Sequence, residues 1–187
     1  MKKLIMVAAI AAAICAQAET KVGTVDMLKL VRNHASYDSN RTLLTDTQKD
    51  YSKKLEKIKT ELEELQKDGQ KKADQYRNPM MAQAAKDKLE KELTEIQQKL
   101  MQGQQRLRNE AMRSEEEMQK LETRLLKAAS DDIRKKLADF AKQAGYTIIL
   151  DASACPYADK STDVTDAMLK VMGVDPTKAR EATDEGK

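Results

Sequence analysis

Residues 70–88 read QKKADQYRNPMMAQAAKDK and interrupt a helix-forming pattern that runs both before and after them. Upstream, Leu44, Tyr51, Leu55, Ile58, Leu62 and Leu65 recur in steps of seven, four, three, four and three, a heptad seam with charged residues between. Downstream, Leu89, Leu93, Ile96, Leu100, Leu107, Ala111, Met118, Leu121 and Leu125 hold a second stripe of the same character, with Gly103 and Ser114 as weak points. Proline removes a helical donor, disfavours helix for the residue before it, and fits the first turn of a following helix. Asn78-Pro79 therefore reads as a reversal between two amphipathic helices. The outgoing arm runs from Ser39 to Arg77. The return arm begins at the proline and lies antiparallel to it over ~38 residues, or ~57 Å at ~1.5 Å per residue.

Working outward, the return helix is expected to continue to Ala144, where Gly145 stops it. The run YTIILD, Tyr146 to Asp151, is the clearest strand, apolar on both faces and so expected inside a sheet. A further strand is expected over 154–158, confined to an edge or bulge by Pro156. Asp163 and Asp166 suggest the start of a helix whose Val164, Met168 and Val171 share a face, closed by Gly173. On the amino-terminal side KVGTVD, Lys21 to Asp26, reads as a strand, and Asp26 as the cap of a short helix from Met27 to Arg32. Ser36, Asp38 and Ser39 are candidate caps for the outgoing arm.

The chain opens with Lys2 and Lys3, an uncharged run from Leu4 to Ala16, and Ala16-Gln17-Ala18, which reads as a secretory signal cleaved after Ala18. That run is shorter than the ~20 apolar residues of a membrane span. Of 34 basic residues, Lys2 and Lys3 fall in this leader, so 32 face 31 acidic ones afterwards. A nearly balanced charge argues against nucleic acid as a partner, because phosphate neutralisation needs a concentrated basic excess. With 35% charged residues, 3% aromatic and no Trp, the chain has the composition of long helices rather than of a large globular core.

Chemistry is sparse. Cys155 would be the one cysteine left after cleavage, which excludes an internal disulfide and a cysteine-based zinc site; it reads as a buried thiol, with pairing between subunits as the alternative. His34 is the only histidine and makes no recognisable triad in sequence. Acidic pairs such as Glu63-Glu64 sit among lysines as a solvated helix face, and there is no phosphate-cradling glycine loop. No catalytic residue, metal ligand or cofactor site is assigned, and a non-enzymatic role is expected.

Two ends of the chain carry a family likeness. KVGTVDM in the first strand, GYTIILD ending at Asp151, YAD at Tyr157 to Asp159, and DVTD beginning at Asp163 resemble the Skp (OmpH-like) family of periplasmic chaperones. The order of elements is similar over nearly all of the chain after the leader, while the helical middle adds architecture rather than identity. The arms are only mildly basic, with 17 Lys and Arg against 13 Asp and Glu from Arg41 to Arg113.

The resemblance implies an α+β, mostly α, fold: a small β-body with strands near 21–26, 146–151 and 154–158 that joins a homotrimeric barrel, and a long coiled-coil hairpin arm. It implies an ATP-independent holdase that takes unfolded outer-membrane proteins into a cavity between the arms of the periplasmic trimer. Weak contact with lipid or a membrane surface is a further expected interaction. A periplasmic coiled-coil spacer, or an adaptor hairpin that docks on a channel, is the alternative function. The expected division is a signal at 1–18, a body at 19–38 and 118–173, an arm at 39–117 with its tip near 76–81, and a flexible tail at 174–187. Val22, Val25, Ile148, Ile149 and Leu150 are expected in the trimer's sheet core. Leu55, Ile58, Leu62, Leu65, Leu89, Leu93, Ile96 and Leu100 form the expected arm seam, and Tyr76, Met80 and Met81 the expected client contact at the tip.

Overall fold

A computed structural model describes residues 20–181 of the chain, so the proposed leader lies outside the described residues. The elements in order are β1 (Val22–Val25), α1 (Met27–Arg32), α2 (Tyr37–Tyr76), α3 (Gln83–Ala144), β2 (Ile148–Asp151) and α4 (Thr165–Val171). Helices of 40 and 62 residues dominate, and at ~1.5 Å per residue they measure ~60 and ~93 Å. Contacts between them pair ascending positions in α2 with descending ones in α3: His34, just before α2, with Asp132, Tyr51 with Glu117, Glu61 with Arg106, and Lys72 with Glu92. The hairpin is therefore antiparallel.

The two strands are parallel, with Val22 opposite Ile148, Gly23 opposite Ile149, Thr24 opposite Leu150 and Val25 opposite Asp151. Parallel strands need a crossover connection, and here the crossover is the whole hairpin. On its other side β1 receives Val164, whose N–H donates to the Thr24 carbonyl at 2.8 Å. The Tyr146 ring packs closely on Gly23, with carbons that would stand 3.1 Å from an added Cβ. Tyr146 stacks on Phe140 with centroids 5.9 Å apart, and Lys21 Nζ lies 4.1 Å from the centre of its ring.

The body's core is Val25, Leu30, Ile133, Val164, Met168 and Leu169. Asp26 caps α1 by accepting from the Lys29 N–H at 2.8 Å. Gly145 ends α3 in the left-handed region at φ 73°, a conformation that costs other residues a Cβ clash.

Three expectations are corrected. No strand forms over 154–158: Ala152–Ala154 winds one 3-10 turn, begun by the Asp151 carboxylate accepting from the Ser153 N–H at 3.0 Å, and the segment leaves the sheet there. On α4, Val171 is 51% exposed while Leu169 is fully buried, because the helix turns its Thr165, Met168 and Leu169 side to the core. The chain from Asp175 to Glu181, expected within the tail, is ordered on the body: Pro176–Lys178 forms a 3-10 turn and Ala179 packs on the core.

Candidate functional site

The arm is built from one seam. Ile58 and Ile96 are its most buried apolar residues, and Leu55, Leu62, Leu65, Leu89, Leu93 and Leu100 are half-buried beside them. A two-helix hairpin can shield each side chain from one direction only, which accounts for the partial burial. The positions that look weak in sequence sit inside the seam. A Cβ on Gly103 would fall 2.5 Å from a Leu62 methyl. Ser114 is buried at 6% exposure, and its hydroxyl finds no hydrogen-bond partner. Ala111, expected in the stripe, is exposed, and so are Met101 and Met112, whereas Met118 of the stripe is half-buried.

Polar clamps reinforce the seam. The Tyr51 hydroxyl donates to Glu117, which also accepts from Arg113 Nε at 2.8 Å. The hydroxyl first and Arg113 second hold the Glu117 carboxyl below its usual range, and the same bond raises Tyr51. Nearer the tip, Lys72 bridges Glu92 at 2.9 Å and Asp68 at 3.2 Å; both carboxylates raise its pKa, Glu92 the more.

At the reversal α2 ends at Tyr76 and α3 begins at Gln83. Pro79 lies inside a turn closed by the Met81 N–H on the Asn78 carbonyl at 3.3 Å, so it does not open the return helix as expected. The Asn78 side chain takes the Met80 N–H at 3.0 Å, an Asx turn that fixes the bend. Met80 is 90% exposed, Tyr76 is 39% exposed, and Met81 is half-buried. The tip thus presents a thioether and an aromatic ring to solvent.

In the body the five residues expected in a sheet core divide by face. Val25 and Ile149 pack into the chain's own core, whereas Val22, Ile148 and Leu150 are 39%, 46% and 44% exposed. Among the described residues β2 pairs only with β1, so its far edge carries unpaired backbone groups.

His34 does more than its isolation in sequence suggests. Its Nδ1 lies 2.8 Å from the Ser36 hydroxyl and accepts the Ser36 N–H at 3.2 Å, and its Nε2 lies 3.0 Å from Asp132. With Nδ1 accepting, the ring donates through Nε2 to Asp132, pinning the α1–α2 corner to α3. Lys136 chiefly, and His34 next, hold the Asp132 carboxyl below its usual range. Proximity across 98 positions left no signal in the sequence. A groove of about 260 Å³ opens beside this corner, between Val31, Tyr37, Leu44, Leu125 and Ala129. Cys155 is half-buried rather than enclosed, with its thiol 3.5 Å from the Asp151 carbonyl. Among the described residues no three His, Cys, Asp or Glu side chains gather as a metal site, and no helix is long and apolar enough to cross a membrane.

Fold and surface define a coiled-coil hairpin protein: a small packed body from which one long, exposed helical arm projects. The family described as Outer membrane protein (OmpH-like) matches residues 21–172, and the chain belongs to it. Members of this family are periplasmic chaperones of outer-membrane proteins. Among curated proteins no sequence matches this chain.

Proposed function

We propose that this chain is an ATP-independent holdase, exported with cleavage after Ala18, that keeps unfolded outer-membrane proteins from aggregating in a space between the arms of a homotrimer. The observation that carries the reading is the arm itself: helices of 40 and 62 residues held by one narrow seam, with their remaining faces open to a partner. Many weak contacts from such faces, with Tyr76, Met80 and Met81 at the tip, suit a promiscuous holder better than one tight pocket would. In this proposal residues 19–38 and 118–173 act as body and 39–117 as arm. Contact with lipid headgroups is an accessory interaction resting on the arm's small basic excess.

Trimerisation is supported by the unpaired edge of β2 and the exposed Val22, Ile148 and Leu150 beside it. Leu150→Asp should therefore leave the chain folded and split the assembly, read as mass by light scattering. A Leu150→Asp protein that stays trimeric removes this edge from the interface.

The function is tested by diluting a denatured outer-membrane β-barrel protein into the leader-free chain without nucleotide, recording turbidity and complex mass in one sample. Suppressed aggregation with three chains per client is expected. Undiminished aggregation overturns the proposal and returns the arm to a spacer or adaptor role.

A further inference from the structure

The family match ends at 172, yet the chain continues in a defined path to Glu181 and closes on the root of the arm. Asp175 turns the chain by accepting from the Thr177 N–H at 3.0 Å, and Ala179 seats it on the core. Arg180 then meets the α1–α2 corner through both backbone and side chain. Its N–H donates to Asn33 Oδ1 at 2.9 Å while its carbonyl accepts from Asn33 Nδ2 at 2.9 Å, so the amide side chain pairs with the backbone much as a neighbouring strand would. Its guanidinium donates to the Arg32 carbonyl at 3.1 Å and to Asp38 at 2.9 Å, and lies 5.1 Å over the Tyr37 ring. One residue on, the Glu181 carbonyl accepts from Arg32 at 2.9 Å and its carboxylate pairs with Lys29 at 3.0 Å.

These contacts join α1 to the start of α2, while the continuous α3 is the hairpin's other connection to the body. Lys29 and Arg32 belong to the body's first helix, while Tyr37 and Asp38 are the first residues of α2. Between them stand only residues 33–36, too few to form a helix of their own. We infer that residues 175–181 form a strap that fixes the angle at which the arm leaves the body, with Arg180 as its buckle. On the other side of this corner the His34–Asp132 contact ties α2's start to α3, but it does not reach the tail. The strap is therefore the link from the carboxyl-terminal segment to the arm. Because its ion pairs are partly exposed, salt should loosen it, while the backbone-directed bonds of Asn33 and Arg180 persist.

Paired spin labels at Lys59→Cys on the arm and Lys170→Cys on α4, in a leader-free chain running to Lys187 with Cys155→Ser and diluted with unlabelled chain, read the arm's angle as a distance distribution. The wild-type strap should give a narrow distribution, and Arg180→Ala should broaden it toward longer and shorter distances with helical content unchanged. Asp38→Ala approaches the same contact from the arm side, so it tests the buckle even if Arg180→Ala folds poorly. Combining both substitutions should broaden the distribution no further than Arg180→Ala alone. Salt near ~1 M, where the screening length falls to ~3 Å, should broaden the wild type and move Arg180→Ala less, since only the Lys29–Glu181 pair remains there to be screened. A folded Arg180→Ala or Asp38→Ala protein with the wild-type distribution overturns the strap.

Discussion

Leu30, Ile133, Met168 and Leu169 lie in a body where three helices and a strand close over them from every side, and none has exposed surface. The arm uses the same kinds of side chain along far more residues, yet buries only Ile58, Ile96 and Ser114. The difference is one of geometry rather than composition. A body residue is enclosed by several elements, whereas an arm residue has one facing helix and water around the rest. Stability should therefore be concentrated at one end of the molecule. The arm, with its few buried contacts, is placed to open at lower cost than the body unfolds.

The largest effect should follow from truncating the body's core. Leu169→Ala removes a fully buried side chain and should cost ~3 kcal/mol in denaturant unfolding followed by helical signal, within the range for such truncations. Ile58→Ala, in the arm, should cost nearer ~2 kcal/mol because its surroundings can close more easily. Amide exchange should follow the same order, fastest at 77–82 and slowest around Ile133. Equal costs at Leu169 and Ile58, or protection at the tip matching that at Ile133, would erase the contrast.

A smaller and opposite effect should come from Ser114. Its buried hydroxyl has no partner, and a buried unsatisfied group of this kind costs ~1–3 kcal/mol. Ser114→Ala should therefore stabilise the arm by about 1 kcal/mol, at the low end of that range, and slow amide exchange in the middle of the seam while leaving the body's exchange unchanged. A loss of stability would mean that the hydroxyl has found a bond, and that the arm is better satisfied than its packing indicates.

What the sequence carried and what it did not follows the same division. Heptad spacing is repeated and local, so the arm and its reversal could be read directly, as could the helix start at Asp26 and the helix stop at Gly145. The strands were legible as apolar runs, but their sides were not. Ile148, Ile149 and Leu150 are alike in type, and only the register with β1 turns Ile149 inward and its neighbours outward. The strand expected over 154–158 failed because Asp151 and Ser153 prefer a local turn, which one chain's hydrophobicity cannot reveal. Contacts made by single polar residues across long separations, such as Arg180 with Asp38 or His34 with Asp132, leave no periodic trace at all. Gly103 looked like a defect because the seam was expected to reward size, yet Leu62 fills the space a side chain there would take.

The smallest effect belongs to pH, and it sharpens the contrast because the clamp that titrates lies in the arm. Glu117 is held below its usual range by Tyr51 and then Arg113, so the folded arm gives up that proton more readily than the unfolded chain. Its stabilisation is complete above the ordinary glutamate value of ~4.3 and is lost as pH falls through the depressed folded value. Tyr51 shifts the other way, raised by its bond to Glu117. The neutral hydroxyl is then favoured by folding, and that contribution is intact below the ordinary tyrosine value of ~10 and lost as pH rises through the raised one. The Tyr51–Glu117 clamp should thus hold between those limits and slacken beyond both. Amide exchange around Tyr51 and Glu117, corrected for its intrinsic pH dependence, should accelerate below pH ~4 before exchange at Val25 or Ile133 does. In Tyr51→Phe the acid acceleration should shrink, because Glu117 keeps only Arg113. Body amides that loosen at the same pH as the arm would show that the two ends are one cooperative unit.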